Sequence, residues 1–315
     1  MSSQLVSVII PVWNASAFIE ETIRSALAQT YKRWEIVAVD DGSTDDSLAL
    51  LEKLAMGDPR IRVFQMPSHS GSAAAVRNFA VENASGELVA FLDADDIWFP
   101  EKLELQVDAL ARVPHASAVA SWISVFGDPE RTKIWQDMMW RSGSPAITAS
   151  EILDRVPETP TVVMRRSVYR EMGGMVVSPK LRAGEDKEFF IRLALTREFL
   201  RIPRVLVKVR VHAVGSSLST VDAAIEARER AIIESLQAAG VLTSSLRLRM
   251  ESRLHYALAR QELFHGSGPF RKNLLKSTLS FHGPVKAYVI LLLAWLPRGV
   301  LKRVLYALLK IRNPR

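Results

Sequence analysis

The chain of 315 residues contains no cysteine. That excludes disulfides, thiolate metal sites and a cysteine nucleophile together, and it suits a reducing compartment. Acidic residues are missing from one region only. Beyond Glu262 there are none, while ten of the 41 Lys and Arg residues lie there, which leaves 31 basic against 34 acidic residues before that point. The net charge of +7 therefore belongs to the tail, not to a basic folded surface, and a nucleic-acid-binding role loses its main support. Long apolar runs are also scarce. The opening MSSQLVSVIIPVWN has no basic leader and too short an apolar run for a signal peptide, so it reads as a buried strand. Hydrophobic residues make up 48% of the chain, enough for a sizeable core.

What is present in the first hundred residues is alternation of strand and helix patterns. Leu5–Val12 is a continuous apolar run, and a helical pattern follows from Ala17 to Thr30 with Ser16 as its N-cap. Glu35–Asp40 reads as strand and Asp45–Ala55 as helix with an acidic first turn. Ile61–Met66, Ala73–Asn83 and Leu88–Leu92 repeat the scheme, and Pro100 opens a helix with Leu103, Val107 and Leu110 on one face. Such alternation implies an α/β fold with a mostly parallel sheet covered by helices on both faces. Ligands then bind beyond the carboxyl ends of the strands. Residues 115–220 carry shorter strands, among them an alternating Val205–His212, and 222–262 reads as one charged amphipathic helix.

Polar residues gather at those strand ends: Trp13-Asn14, Asp40-Asp41-Gly42-Ser43 and Asp93-Ala94-Asp95-Asp96. Asp93 and Asp95, two apart after a buried run, suit Mg²⁺ or Mn²⁺ bound together with phosphate oxygens. Taken alone they serve equally as a solvated acidic turn. The Asp40–Asp45 stretch is an ordinary Asx-turn composition, or places Asp41 against a nucleobase N–H. Gly184-Glu185-Asp186 opens a helix, where Asp186 is either a capping carboxylate or a general base that deprotonates a hydroxyl.

Together these clusters resemble family-2 glycosyltransferases with the GT-A fold, a Rossmann-like architecture. The resemblance runs from Leu5 to His212 through VSVIIPVWN, VDDGSTDDS, SGSAAAVRN, FLDADD and GEDKEFFIRLA. It implies an inverting enzyme that moves a sugar from a nucleotide-diphosphate donor, most often UDP-linked, to a saccharide or lipid-linked acceptor. Pro11, Val12 and Trp13 would line the nucleobase pocket, with Asp41 reading the base edge. Arg77 would lie near the donor phosphates or sugar, Asp93 against the ribose or sugar, and Ala94 in the same stretch. Asp95 would hold Mn²⁺ or Mg²⁺ through the pyrophosphate, Asp186 would be the base, and His212 would stand near the metal. The family commonly has Asn before the glycine of the third motif, where this chain has Ser70. The glutamine-arginine-tryptophan signature of processive synthases is absent, which points to transfer of a single sugar.

Two other functions compete with this one. A sugar-phosphate nucleotidyltransferase shares the pattern but carries a glycine-rich loop where Leu5–Asn14 has none. A non-catalytic sugar-nucleotide-binding or membrane scaffold would have no need of Asp186. The expected division is a catalytic domain over 1–220 and a helical region over 221–315. Within the latter, about 284–312 is basic and amphipathic. Val285–Leu296 would rise only about 18 Å as helix against a hydrocarbon core of about 30 Å. It therefore suits a helix lying in an anionic interface, with Tyr288 and Trp295 at headgroup depth, or a helical hairpin packed on protein. The expected location is cytoplasmic, at the inner face of the cell membrane.

Overall fold

Eight strands form one sheet in the order β3-β2-β1-β4-β7-β6-β8-β5. The structure is a computed structural model that describes residues 4–129, 132, 145–212, 225–264, 270–279, 290–294, 296–297, 299–301 and 304. Its first half runs β1 (Val6–Val12), α1 (Ile19–Leu27), β2 (Trp34–Asp40), α2 (Ser47–Gly57), β3 (Ile61–Gln65), α3 (Ala73–Glu82) and β4 (Leu88–Phe91). Then come β5 (Ile97–Trp98), α4 (Lys102–Arg112), β6 (Ala118–Gly127), α5 (Ala149–Asp154), β7 (Val163–Arg165), α6 (Arg166–Glu171), α7 (Glu185–Thr196) and β8 (Phe199–Val211).

The first four strands are parallel, as the alternation predicts. Period-two alternation sends Val6, Val8, Ile10 and Val12 into a core with Ile19 and Ile23 of α1, Leu51 of α2, and Leu103 and Val107 of α4. Helix α3 packs on β1 and β2 through Ala74 and Val76. Because β1 pairs with β2 on one side and β4 on the other, the strand order reverses there and leaves a crevice at the carboxyl ends.

The second half is mixed. Strand β7 is antiparallel to both β4 and β6, β8 is parallel to β6, and β5 is antiparallel to β8. The β6–β8 register slips between Ser121 and Ile123, opposite Pro203 and Arg204. Proline has no N–H to give the ladder, so the strand bulges at that point and resumes.

Several boundaries differ from those expected. Ser16 does not cap α1: the helix starts at Ile19 after Phe18, and Ser16 N–H donates to Asp45 at 3.0 Å. Helix α2 begins at Ser47, so Asp45 lies before it and accepts the Ser47 N–H at 3.0 Å; the first turn itself holds no acid. A tertiary partner for the carboxylate outweighed the local dipole. The single helix read over 222–262 is two, α8 (Ile225–Ala238) and α9 (Ser244–Phe264), parted by Gly240 at φ 69°.

The chain divides into two compact units, Met1–Ser219 and Thr220–Arg315. In the second, α9 and α10 (Phe270–Leu279) share a core of Leu263, Phe270 and Leu274 with Ile290, Ala294 and Leu301. Part of the apolar tail thus packs within its own helical unit. Among the described residues no helix is long and apolar enough to cross a membrane. Tyr288 and Trp295 lie outside the described residues.

Helix α7 is clamped in place by a buried ion pair. Arg192 Nε lies 3.0 Å from Glu188 Oε1, whose side chain is fully buried, and Arg192 also donates to the Gly174 carbonyl at 2.9 Å. Replacing Arg192 with Met leaves Glu188 buried without this cation and should cost about 3–5 kcal/mol. Urea denaturation should show a lower midpoint at unchanged slope.

Candidate active site

The loops after β1 and β2 are stitched together by short polar side chains. Asn14, at φ 49°, accepts the Thr44 N–H at 2.8 Å through Oδ1, and its own N–H donates to Ser43 Oγ at 3.0 Å. Burial would raise the Asp45 carboxyl, but hydrogen bonds from Ser47 and Ser16 hold it down at about 2. A rigid rim results, and the residues facing the crevice inherit their positions from it.

Asp41 is buried, and the loop between β3 and α3 closes on it. Its Oδ1 accepts the Ser70 N–H at 2.8 Å and its Oδ2 the Ser70 hydroxyl at 2.9 Å. Ser70 therefore engages both carboxylate oxygens. His69 Nδ1 lies 3.0 Å from both the Asp41 carbonyl and Oδ2, and its ring stacks on Trp13 at 4.7 Å. Gly42 permits this closure: it sits at φ 71°, and a Cβ there would lie 3.2 Å from the His69 nitrogen.

The acidic edge after β4 is held by three separate partners. Arg77, buried on α3, lies 2.6 Å from Asp93 Oδ1. His212 Nε2, just past β8, lies 2.6 Å from Asp95 Oδ2. Asp96 is buried and accepts the Arg210 N–H at 2.8 Å, while Arg210 Nε donates to the Asp95 carbonyl at 2.9 Å. Burial raises the Asp93 carboxyl; Arg77 opposes this, and the charges of Asp95 and Asp186 add to it. Burial, Asp95 and Asp93 push Asp96 well above the usual carboxylate range. Concentrated negative charge of this kind creates a demand for cations.

Pro11, Val12, Trp13, Asp41, Arg77, Asp93, Ala94, Asp95 and His212 all line one cavity of about 530 Å³ at the carboxyl edge of the sheet. Asp186 is not part of that lining. It stands in the first turn of α7, close enough to Arg77 and Asp93 to influence both. Its Oδ2 accepts the Thr159 hydroxyl at 3.0 Å. Thr159 sits in a 3-10 turn (Thr159–Thr161) anchored by the Trp98 indole N–H on Pro160 and by Gln106 on Thr161.

Sequence reading passed over three residues here: Glu158, Thr159 and Arg182. Glu158-Thr159-Pro160 has no periodicity and reads as loop, and Arg182 is a lone arginine in a connection. Only the approach of separate elements gives them meaning.

Comparison with known proteins identifies the family and the fold. Residues 7–173 match the family model described as glycosyl transferase family 2. The chain is 34% identical over 195 residues to the putative teichuronic acid biosynthesis glycosyltransferase TuaG of Bacillus subtilis, spanning 60% of this chain and 71% of that one. It is 41% identical over 112 residues to WfgD of Escherichia coli, 36% of this chain and 43% of the other. WfgD is a UDP-Glc:alpha-D-GlcNAc-diphosphoundecaprenol beta-1,3-glucosyltransferase. The structure of S. aureus TarS in complex with UDP-GlcNAc aligns at a TM-score of 0.63 and 22% identity, covering 85% of this chain and 75% of that one. At that identity the likeness speaks to the shared GT-A fold.

Burial, with the charge of Asp186 beside it, pushes the Glu158 carboxyl up to about 7. That lies above an unfolded glutamate, so the folded protein holds the extra proton between about pH 4.5 and 7. Stability from this group is full below that window and is lost as pH rises through it. Glu158→Gln removes the penalty. It should stabilise the fold at pH 8 by on the order of 1–3 kcal/mol, seen as a higher thermal midpoint, and leave the midpoint near wild type at pH 4.5. Melting followed by circular dichroism across that range reads the difference.

Proposed function

The chain belongs to glycosyl transferase family 2, and on that premise we propose that it transfers a single sugar, with inversion, from a UDP-sugar to a saccharide or lipid-linked acceptor hydroxyl in cell-surface polysaccharide synthesis. The observation that carries this is the convergence on one cavity of nine of the ten residues that the sequence marks. Its volume is that of a pocket for a small ligand.

Asp41 sets the base. An ionised carboxylate only accepts hydrogen bonds, so it can pair with a ring N–H such as that of uracil, thymine or guanine. The UDP-sugar bound by TarS and named as the WfgD donor supports UDP among these. Trp13 and His69 form the aromatic wall beside it.

Asp95 and His212 would hold Mn²⁺ or Mg²⁺, and an imidazole in the set suits Mn²⁺ better. Donor phosphate oxygens would complete such a site, since hard divalent cations favour carboxylate and phosphate oxygens. A bound divalent ion supplies positive charge against the diphosphate. Asp186 accepts the proton of the acceptor hydroxyl, and Thr159 holds the carboxylate in orientation. The acceptor oxygen bonds to the anomeric carbon from the face opposite the diphosphate. The carbon–oxygen bond to the β-phosphate breaks, its electron pair stays on the departing nucleotide, and an α-linked donor gives a β-linked product.

The acceptor named for WfgD is carried on a lipid, which supports a membrane-proximal site for this chain. The second unit meets the inner face of the membrane through its basic tail. Leu275, Leu292 and Val300 are exposed there, Leu292 at 76%, in a stretch without acidic residues.

Thermal shift with UDP, TDP, GDP and ADP, each in Mn²⁺ and in EDTA, tests the donor site. UDP at a hundred times its dissociation constant should add about 2.7 kcal/mol of stability in Mn²⁺. Asp186→Asn should keep that shift and lose sugar transfer; normal turnover by the variant would remove Asp186 as the base. No shift with any nucleotide would sink the donor reading. Separately, vesicles containing anionic lipid should pellet the protein at low salt and release it as salt rises. Failure to pellet would overturn the membrane contact.

A further inference from the structure

One cation in the cavity wall has no task in the scheme above. Arg182 lines the cavity with Asp93, Asp95 and His212, is exposed, and has no hydrogen bond or ion pair among the described residues. Each other basic side chain there is engaged: Arg77 with Asp93, His212 with Asp95 and His69 with Asp41.

Its position is built rather than incidental. Gly184 N–H donates to the Leu181 carbonyl at 2.8 Å, with Arg182 at φ −50°, ψ 130° and Ala183 at φ 59°. These values describe a type II turn whose corner is Arg182. Ala183 occupies the left-handed region that glycine favours, so its surroundings hold the turn in shape. Leu181 is buried on one side. On the other, buried Glu185 accepts the Gly184 N–H at 3.1 Å and the Ser72 hydroxyl at 3.3 Å. The turn runs directly into α7, four residues before Asp186.

The charges in the cavity say what the free guanidinium faces. Asp41, Asp93 and Asp95 line it, and Arg77, the other arginine of the lining, is committed to Asp93. A nucleotide-diphosphate sugar brings two further negative charges, and the departing nucleoside diphosphate carries a third as the glycosidic bond breaks. A guanidinium presents a fork of donors that matches phosphate oxygens, and it counts for most where charge develops. We propose that Arg182 is a catalytic residue that grips the diphosphate of the donor and stabilises it as it leaves. Because the turn is continuous with α7, one rigid connection sets both the leaving-group cation and the base.

This inference rests on the donor-site reading, and the test separates the two. Isothermal titration with UDP and with UMP in Mn²⁺ compares wild type with Arg182→Ala and Arg182→Lys. Arg182→Ala should weaken UDP about ten- to a hundredfold. It should leave UMP within about twofold, since UMP lacks the second phosphate, and the ligand-free melting midpoint should not change. Arg182→Lys should fall between, keeping charge without the fork. UDP affinity unchanged in Arg182→Ala would overturn the proposal, as would equal losses for UDP and UMP. Wild type that binds neither, nor GDP or TDP, would overturn the donor site and this role with it.

Discussion

Two residues of strand hold this site together. Ile97 and Trp98 pair with Val207 and Lys208, joining segments more than a hundred residues apart. The pairing sets Asp96 against Arg210 and Asp95 against His212. Without it the acidic turn after β4 would be an ordinary solvated loop, and His212 would end a strand with nothing to face. Strand β8 can deliver it because the bulge at Pro203 realigns the strand before it reaches the site.

Electrostatics then decides what the cavity accepts. Asp93 and Asp96 are raised by burial and by neighbouring carboxylates, and the partners that hold this acidic edge come from different elements. Arg77 comes from α3, Arg210 from β8 and His212 from just beyond it. On the proposed reading a diphosphate would enter with added positive charge, which Arg182, without a hydrogen bond or ion pair among the described residues, would supply.

The alternation in the first hundred residues was legible because a buried parallel sheet demands continuous apolar strands, and those of β1, β2 and β4 are all buried. Boundaries were less so. Ser16 and Asp45 each had a plausible local role at a helix start, and each took a partner from the other loop instead. Gly240 marked a break that charge periodicity on both sides concealed. The antiparallel entry of β7 could not be read, since three residues carry no period that tells direction.

The sequence by itself determined the fold class, the strand ends that bear chemistry and the family, because those depend on spacing along the chain. It also placed the basic excess in the tail. Only the tertiary structure decided that Asp95 meets His212, that Thr159 holds Asp186, that burial raises Glu158 beside it, and that Arg182 sits at the corner of its turn in the cavity wall. These are contacts between elements distant in the chain or properties of burial. Both arise from packing, which leaves no regular mark on the order of residues.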